Sequence, residues 1–296
     1  MVGIWGHPRG AHLCYLGLYA QQHRGQESAG IAVSDGKRLN AHTGMGLVSQ
    51  IFDPRLLADL DTKGSAGAIG HNRYSTAGGS VPRNAQPLLE NYVGGQVAVA
   101  HNGNLINADL MRNRFEQAGH LFHTTSDTEV VIHLLASPAQ QRAHDPLAAS
   151  LRYLQGAFSL LFLFPDRIEC ARDPWGWRPL VIGRLPHLGT GLANAGPYVV
   201  ASETVALDVL EATFVREVQP GEIVTISDAG LTVRRFADPA PRLPRRLGRA
   251  HRVLGARLAL IRARDRRRPR GFSRGRRRSP ALLASLLRRR LRPSRR

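Results

Sequence analysis

Cysteine is nearly absent from this chain of 296 residues: Cys14 and Cys170 are the only two. The sequence does not open with a basic leader, an apolar stretch and a small-residue cleavage site. Two isolated thiols without such a leader point to a reducing, cytoplasmic setting rather than to a disulfide framework. Long apolar runs are lacking as well. The longest candidate, FSLLFLF at 158–164, is cut by Pro165 and Asp166, short of the ~18 residues that span a bilayer, so no membrane partner is expected. Lysine and acid are missing from one region only. Residues 241–296 contain 22 arginines, no lysine and the single acid Asp265, a net +21, and with +19 over the whole chain the remainder carries −2. What is present is 43% hydrophobic residues, enough for a sizeable core in a near-neutral body.

Up to about residue 236, short apolar stretches alternate with turns and a few helices. HLCYLGLYAQQ at 12–22 puts Leu13, Leu16 and Tyr19 or Ala20 on one helical face. AGIAVSDG reads as a buried strand entering a Ser-Asp-Gly turn. AGAIGHNRY and VAVAHNGN are strands ending in polar corners, where sites are usually built. NADLMRNRFEQAG is a helix capped by Asn107 and stopped at Gly119, and SDTEVVIHLLA opens with a capping box of Ser126 and Glu129. GAFSLLFLF, IECARD, PLVIG, YVVAS and EIVTIS follow at hairpin-type spacing. The order predicts an α+β domain with largely antiparallel sheets and helices packed outside them.

YLGLYAQQHRGQESAGIAVSDG, GAIGHNRYSTAGG, AHNGNLIN, TTSDTEV, ARDPWGWRPL, ASETVALD and QPGEIV occur in that order. Together they make about the first 230 residues resemble the glutaminase half of the amidophosphoribosyltransferases. HNGN by itself is shared with other class II glutamine amidotransferases, such as glucosamine-6-phosphate synthase and asparagine synthetase. QHRGQESAG combined with RDPWGWRPL separates this chain from them. The resemblance implies the N-terminal-nucleophile hydrolase fold, a four-layer αββα sandwich. It also implies a glutamine-dependent transferase of de novo purine biosynthesis. Glutamine loses its amide nitrogen as ammonia, which displaces pyrophosphate from phosphoribosyl pyrophosphate in a second, phosphoribosyltransferase domain and gives 5-phosphoribosylamine. L-glutamine is then the partner of this domain, and phosphoribosyl pyrophosphate a partner only through the other.

The resemblance also assigns roles. Arg73 carries a planar fork of donors that can grip the α-carboxylate of glutamine; the bland alternative is a surface arginine. Thr76 adds a hydroxyl in the same corner, or simply stabilises the turn. Asp127 corresponds to the partner of the substrate's α-amino group, and as an acid in a first helical turn it also suits the helix dipole. Asn102 and Gly103 correspond to the oxyanion hole, two donors aimed where charge builds in the transition state, against the alternative of an Asn-Gly turn. The family's nucleophile is an N-terminal cysteine whose free α-amino group serves as base. Aligning VGIWGHP with the family's opening run places that cysteine a couple of residues before Met1. The chain as printed is therefore expected to be inactive, with Cys14 a packing residue inside the first helix.

No metal or cofactor is expected in this chain. The magnesium and iron–sulfur cluster used by relatives belong to the missing part, and no cysteine follows Cys170. Two domains are expected: a class II glutamine amidotransferase domain over 1–236 and an Arg/Pro-rich disordered tail over 237–296. A nucleic-acid-binding arm, a basic amphipathic membrane segment and a frame-shifted reading of GC-rich DNA all fit the tail. Its lack of Lys, Asn, Gln, Thr, Tyr and Trp favours the last. An arginine-tailed nucleic-acid-binding protein is the competing function of a different class.

Overall fold

Strands buried at every position, rather than on alternate residues, mark sheets covered on both faces, and β1 (Val2–Trp5) and β2 (Ser28–Ser34) are of this kind. The computed structural model describes residues 1–64, 66–74, 79–186 and 196–241. Met1–Pro241 make one compact unit, and the arginine-rich residues after it lie outside the described residues. The remaining strands are β3 (Leu39–Met45), β4 (Gly67–Arg73), β5 (Leu88–Tyr92), β6 (Gly95–Leu105), β7 (Gly156–Phe164), β8 (Arg167–Arg172), β9 (Val181–Arg184), β10 (Tyr198–Ala201), β11 (Thr213–Glu217), β12 (Glu222–Ser227) and β13 (Gly230–Arg235). The helices are α1 (Gly10–Ala20), α2 (Val48–Ile51), α3 (Pro54–Lys63), α4 (Ala108–Gln117), α5 (Thr128–Ala136), α6 (Pro138–Gln141), α7 (Pro146–Leu151) and α8 (Thr204–Val209).

Antiparallel pairing gives two sheets among the described residues, β11-β9-β10-β1-β4-β2-β3 and β13-β12-β8-β7-β6-β5. Three apolar layers follow. Cys14, Leu18 and Leu57 of α1 and α3 pack on Val2, Ile31 and Ala68 outside the first sheet. Trp5, Ile69, Leu161, Ile168 and Val200 fill the space between the sheets. Val130, Val131 and Leu151 of α5 and α7 cover Val99, Phe158 and Leu160 outside the second. The expected four-layer αββα sandwich is the observed one, and apolar burial on both faces of each sheet is what holds it together.

Local structure departs from the sequence pattern more than the layers do. HNGN is no corner: β6 runs through it to Leu105, with Asn102 opposite Ser159 and Gly103 opposite Phe158 of β7. Pairing with β7 from Gly156 to Leu163 carries the strand past the polar residues and excludes an Asn-Gly turn. The capping box is also absent. Ser126 Oγ accepts from Thr128 N two residues on, while Glu129 turns back to accept from His123 N, Thr124 N and Thr124 Oγ1 at 2.7–2.8 Å. Asn107 stands at the N-cap of α4, but its amide reaches across to Tyr153 O and Gln155 N instead of capping. Gly119 ends that helix with φ +89, as expected of a stop.

Candidate active site

The two sheets come together where β4 of the first meets β6 of the second, and the ends of these strands carry the polar residues. The joint holds a pocket of about 120 Å³, several times what one water needs. Arg73, Asn102, Gly103 and Asp127 all line it, together with Arg24, His71, Gln86, His101, Ser126 and Arg178. Four of the five residues singled out in the sequence are therefore gathered at one place, although Arg73 and Asp127 lie 54 positions apart. Thr76 falls outside the described residues.

Arg73 closes β4 with a buried side chain, 4% exposed. Its Nη1 donates to Gly79 O at 3.2 Å and stands 3.6 Å from Glu27 Oε2. Burial lowers its pKa from the ordinary value while Glu27 and Asp127 oppose the shift, and it remains a cation. The backbone beneath it is held by Gly25, where a Cβ would lie 2.6 Å from the Arg73 carbonyl carbon. Only glycine lets the QHRG turn rest there.

Asp127 precedes α5 and makes no side-chain cap. Its Oδ2 accepts from Leu105 N at 3.0 Å and its Oδ1 lies 3.6 Å from His101 Nδ1. Burial pushes its carboxyl pKa up; the His101 ring and the Leu105 N–H outweigh this, and the net shift is downward. Helix capping does not explain this residue; a buried anion facing a pocket does. Gln86 and Asn84 fix the surroundings. Gln86 accepts from His101 N at 2.7 Å and donates to Thr128 Oγ1 at 3.0 Å. Asn84 donates to Gly79 O at 2.7 Å and accepts from Thr125 N at 2.9 Å, joining the segment after Arg73 to the turn before Asp127.

Asn102 Nδ2 donates to Ser202 Oγ at 2.8 Å, and its Oδ1 accepts from His71 Nε2 at 3.1 Å. Ser202 Oγ also accepts from the buried Met1 amino nitrogen at 3.0 Å. Burial, then the charge of Arg24, lower that amine's pKa to about 5. Arg24 pairs with Glu203 at 2.5 Å. His71, Ser202, Arg24 and His101 had no assigned role in the sequence, although each sits inside a quoted motif. Their signal was the motif, and spacing alone does not say that β1, β4, β6 and β10 converge.

Neither cysteine lines the pocket. Both are free and buried, with Cys14 Sγ 3.9 Å from Val2 O. Burial raises both thiol pKa values, that of Cys170 to about 12, so both are poor nucleophiles. Among the described residues no group of three or more His, Cys, Asp or Glu could hold a metal, and no helix is long and apolar enough to cross a membrane. The pocket is lined by a buried cation, Arg73, a buried anion, Asp127, and the side-chain amide of Asn102. That set suits a small zwitterion with an amide or carbonyl group.

Residues 71–208 match a family described as a glutamine amidotransferase domain. Amidophosphoribosyltransferase 1, chloroplastic, of Arabidopsis thaliana is 46% identical over 232 residues, 78% of this chain and 39% of that protein. Amidophosphoribosyltransferase of Bacillus subtilis is 44% identical over 236 residues, 79% of this chain and 47% of that one. Among solved structures, the allosteric regulatory enzyme of purine biosynthesis matches with a TM-score of 0.70 and 44% identity, over 80% of this chain and 48% of its own. The B. subtilis glutamine phosphoribosylpyrophosphate amidotransferase, solved with ADP and GMP, matches with a TM-score of 0.69 and 42% identity, over 80% and 49%. The chain thus spans between 39% and 49% of the length of these relatives.

Proposed function

Since this chain carries a glutamine amidotransferase domain of the N-terminal-nucleophile hydrolase fold, related to the glutaminase half of the amidophosphoribosyltransferases, we propose that its pocket takes L-glutamine and serves to release the amide nitrogen as ammonia. The observation that carries this reading is the convergence of Arg73, Asn102, Gly103 and Asp127 on one pocket. Arg73 holds the α-carboxylate by its planar fork and Asp127 the α-ammonium. The Asn102 amide and the Gly103 N–H stabilise the oxyanion that forms when the side-chain amide carbon is attacked.

The attacking thiol is proposed to come from a cysteine two residues before Met1, the position to which the resemblance points. Strand register supports it. Val2 pairs with Gly70 and Ile4 with Ala68, so each step back along β1 moves one step forward along β4. Continued upstream, that register sets the second residue before Met1 opposite Arg73. The cysteine's own α-amine would take the thiol proton. Attack on the amide carbon gives a tetrahedral oxyanion; the α-ammonium returns its proton to the leaving nitrogen, collapse expels ammonia and leaves a thioester, and water then frees glutamate and the thiol.

In the complete enzyme, ammonia would displace pyrophosphate from phosphoribosyl pyrophosphate and give 5-phosphoribosylamine in de novo purine biosynthesis. The transferase part lies outside the matched half, and with it any magnesium or iron–sulfur cluster. In this proposal the amide-cleaving step uses only side chains and backbone of this domain. Two free, buried thiols suit a cytoplasmic location. Residues 1–236 are the proposed amidotransferase domain.

Titration calorimetry with L-glutamine tests the pocket. Arg73→Ala and Asp127→Ala should each weaken binding at least about tenfold, since a charge-assisted hydrogen bond contributes ~1.5–3 kcal/mol. Parental affinity in both variants would overturn the assignment. A chain extended upstream to an exposed cysteine should release glutamate from glutamine, whereas the chain beginning at Met1 should not.

A further inference from the structure

A side-chain amide offers an acceptor on one arm and donors on the other, so its neighbours decide which arm faces the pocket. For Asn102 the decision can be traced link by link. The carbonyl oxygen of His101 can only accept, and it lies 3.0 Å from His71 Nε2. That nitrogen must therefore carry the ring proton. The same Nε2 stands 3.1 Å from the Asn102 side chain, so the atom presented there must be the oxygen, Oδ1. The NH2 group is left on the opposite side, where Nδ2 donates to Ser202 Oγ at 2.8 Å.

Ser202 closes the argument. A hydroxyl accepts two hydrogen bonds and donates one. Here it accepts from Asn102 Nδ2 and from the Met1 amino nitrogen at 3.0 Å, and its own proton lies toward Met1 O at 3.3 Å. The hydroxyl is fully used, and it ties the start of β1 to the amide. One proton of the Asn102 NH2 is thereby engaged and the second remains for the pocket. A flipped amide would set N–H against N–H at His71, and would have to draw the Ser202 hydroxyl proton away from Met1 O.

The alternative ring tautomer fails on the same count. His71 is 3% exposed, and among the described residues its Nδ1 has no hydrogen-bond partner. A proton there would be a buried donor without an acceptor, while Nε2 would face two oxygens as a bare lone pair. Each such loss costs ~1–3 kcal/mol. Burial, then the nearby Met1 amine, lower the ring's pKa to about 3, so it is neutral around pH 7.

We propose that His71 and Ser202 are positioning residues that lock the Asn102 amide with its NH2 toward the pocket before any substrate arrives. The proposal rests on the glutaminase reading for its purpose: an oxyanion donor acts best when already oriented. The lock itself follows from hydrogen-bond geometry alone. The test uses the full chain. Histidine nitrogen NMR at neutral pH should show His71 as a neutral ring protonated at Nε2, and a ring protonated at Nδ1 would overturn the lock. In calorimetry with L-glutamine, His71→Phe should weaken binding about 5- to 10-fold. His71→Gln, which keeps a terminal N–H donor at similar reach, should stay within about 3-fold of the parent. Equal affinities for Phe and Gln variants would overturn the positioning role. If the parent itself binds no glutamine, the functional reading fails, while the NMR result still decides the lock.

Discussion

Gly103 shows how much a single position must satisfy. A Cβ here would stand 2.0 Å from Ala157 O, 2.7 Å from His101 Nε2 and 2.8 Å from Phe158 Cα. Two of these three are backbone atoms of β7, paired along its length with β6, and cannot retreat without parting the strands. Gly103→Ala should therefore cost at least about 2 kcal/mol, read as a lower urea midpoint, since overpacking a rigid site costs ~1–3 kcal/mol or more. An unchanged midpoint would mean that β6 and β7 separate more readily than their pairing implies. Chemistry and sterics meet at this residue: the glycine proposed as an oxyanion donor is also the one the sheet needs.

At the scale of elements, α5 is anchored by an acid that does not cap it. Glu129 accepts three hydrogen bonds from His123 and Thr124, and His133 Nε2 of the next turn stands 3.8 Å from its Oε1. Burial would raise the carboxyl pKa, but the nearby His133 ring and the His123 and Thr124 hydrogen bonds outweigh it, and the value falls from 4.5 to about 2. A pKa lowered by folding stabilises the native state above the unfolded value and ceases to do so as the pH falls through the folded one. The contribution, up to about 3 kcal/mol by linkage, is thus full above pH ~4.5 and lost toward pH ~2. Glu129→Gln should be less stable than the parent at pH 7 and should approach it near pH 2. Chemical denaturation across that range measures the difference, and a constant gap would sink the account. Because α5 begins one residue after Asp127, the same anchor holds the pocket's anion in place.

For the molecule as a whole, the C-terminal edge of the described unit matters more than composition suggests. Phe236 is 4% exposed in the core outside the second sheet, its N–H bonds Gly221 O, and its carbonyl accepts from Arg152 Nε at 2.9 Å. Ala240 N reaches Pro174 O at 2.8 Å. The chain ending at Pro241 serves as the reference. Cutting after Arg235 removes Phe236 and should cost ~3–5 kcal/mol, as deleting a buried phenylalanine side chain does. Calorimetric melting of the two truncations distinguishes them, and equal melting would move the domain boundary back to Arg235.

The sequence by itself pointed to an α+β domain with largely antiparallel sheets, because short apolar stretches such as AGAIG and FSLLFLF alternate with turns and helices, and the four-layer stacking came from the resemblance of its ordered motifs. The resemblance carried by the ordered motifs also named Arg73, Asn102, Gly103 and Asp127, residue types that suit a carboxylate clamp, an oxyanion hole and an ammonium partner. Tertiary structure decided the rest. HNGN became strand interior because β7 pairs through it, and Glu129 turned back toward Thr124 rather than capping because the preceding loop presents its N–H groups. His71 and Ser202 acquired their place only when β4 and β10 were brought to the Asn102 side chain. Spacing along a chain encodes local pairing, whereas the orientation of a side-chain amide is set by neighbours 31 and 100 residues away. Only the packed sheets bring those neighbours within hydrogen-bond reach.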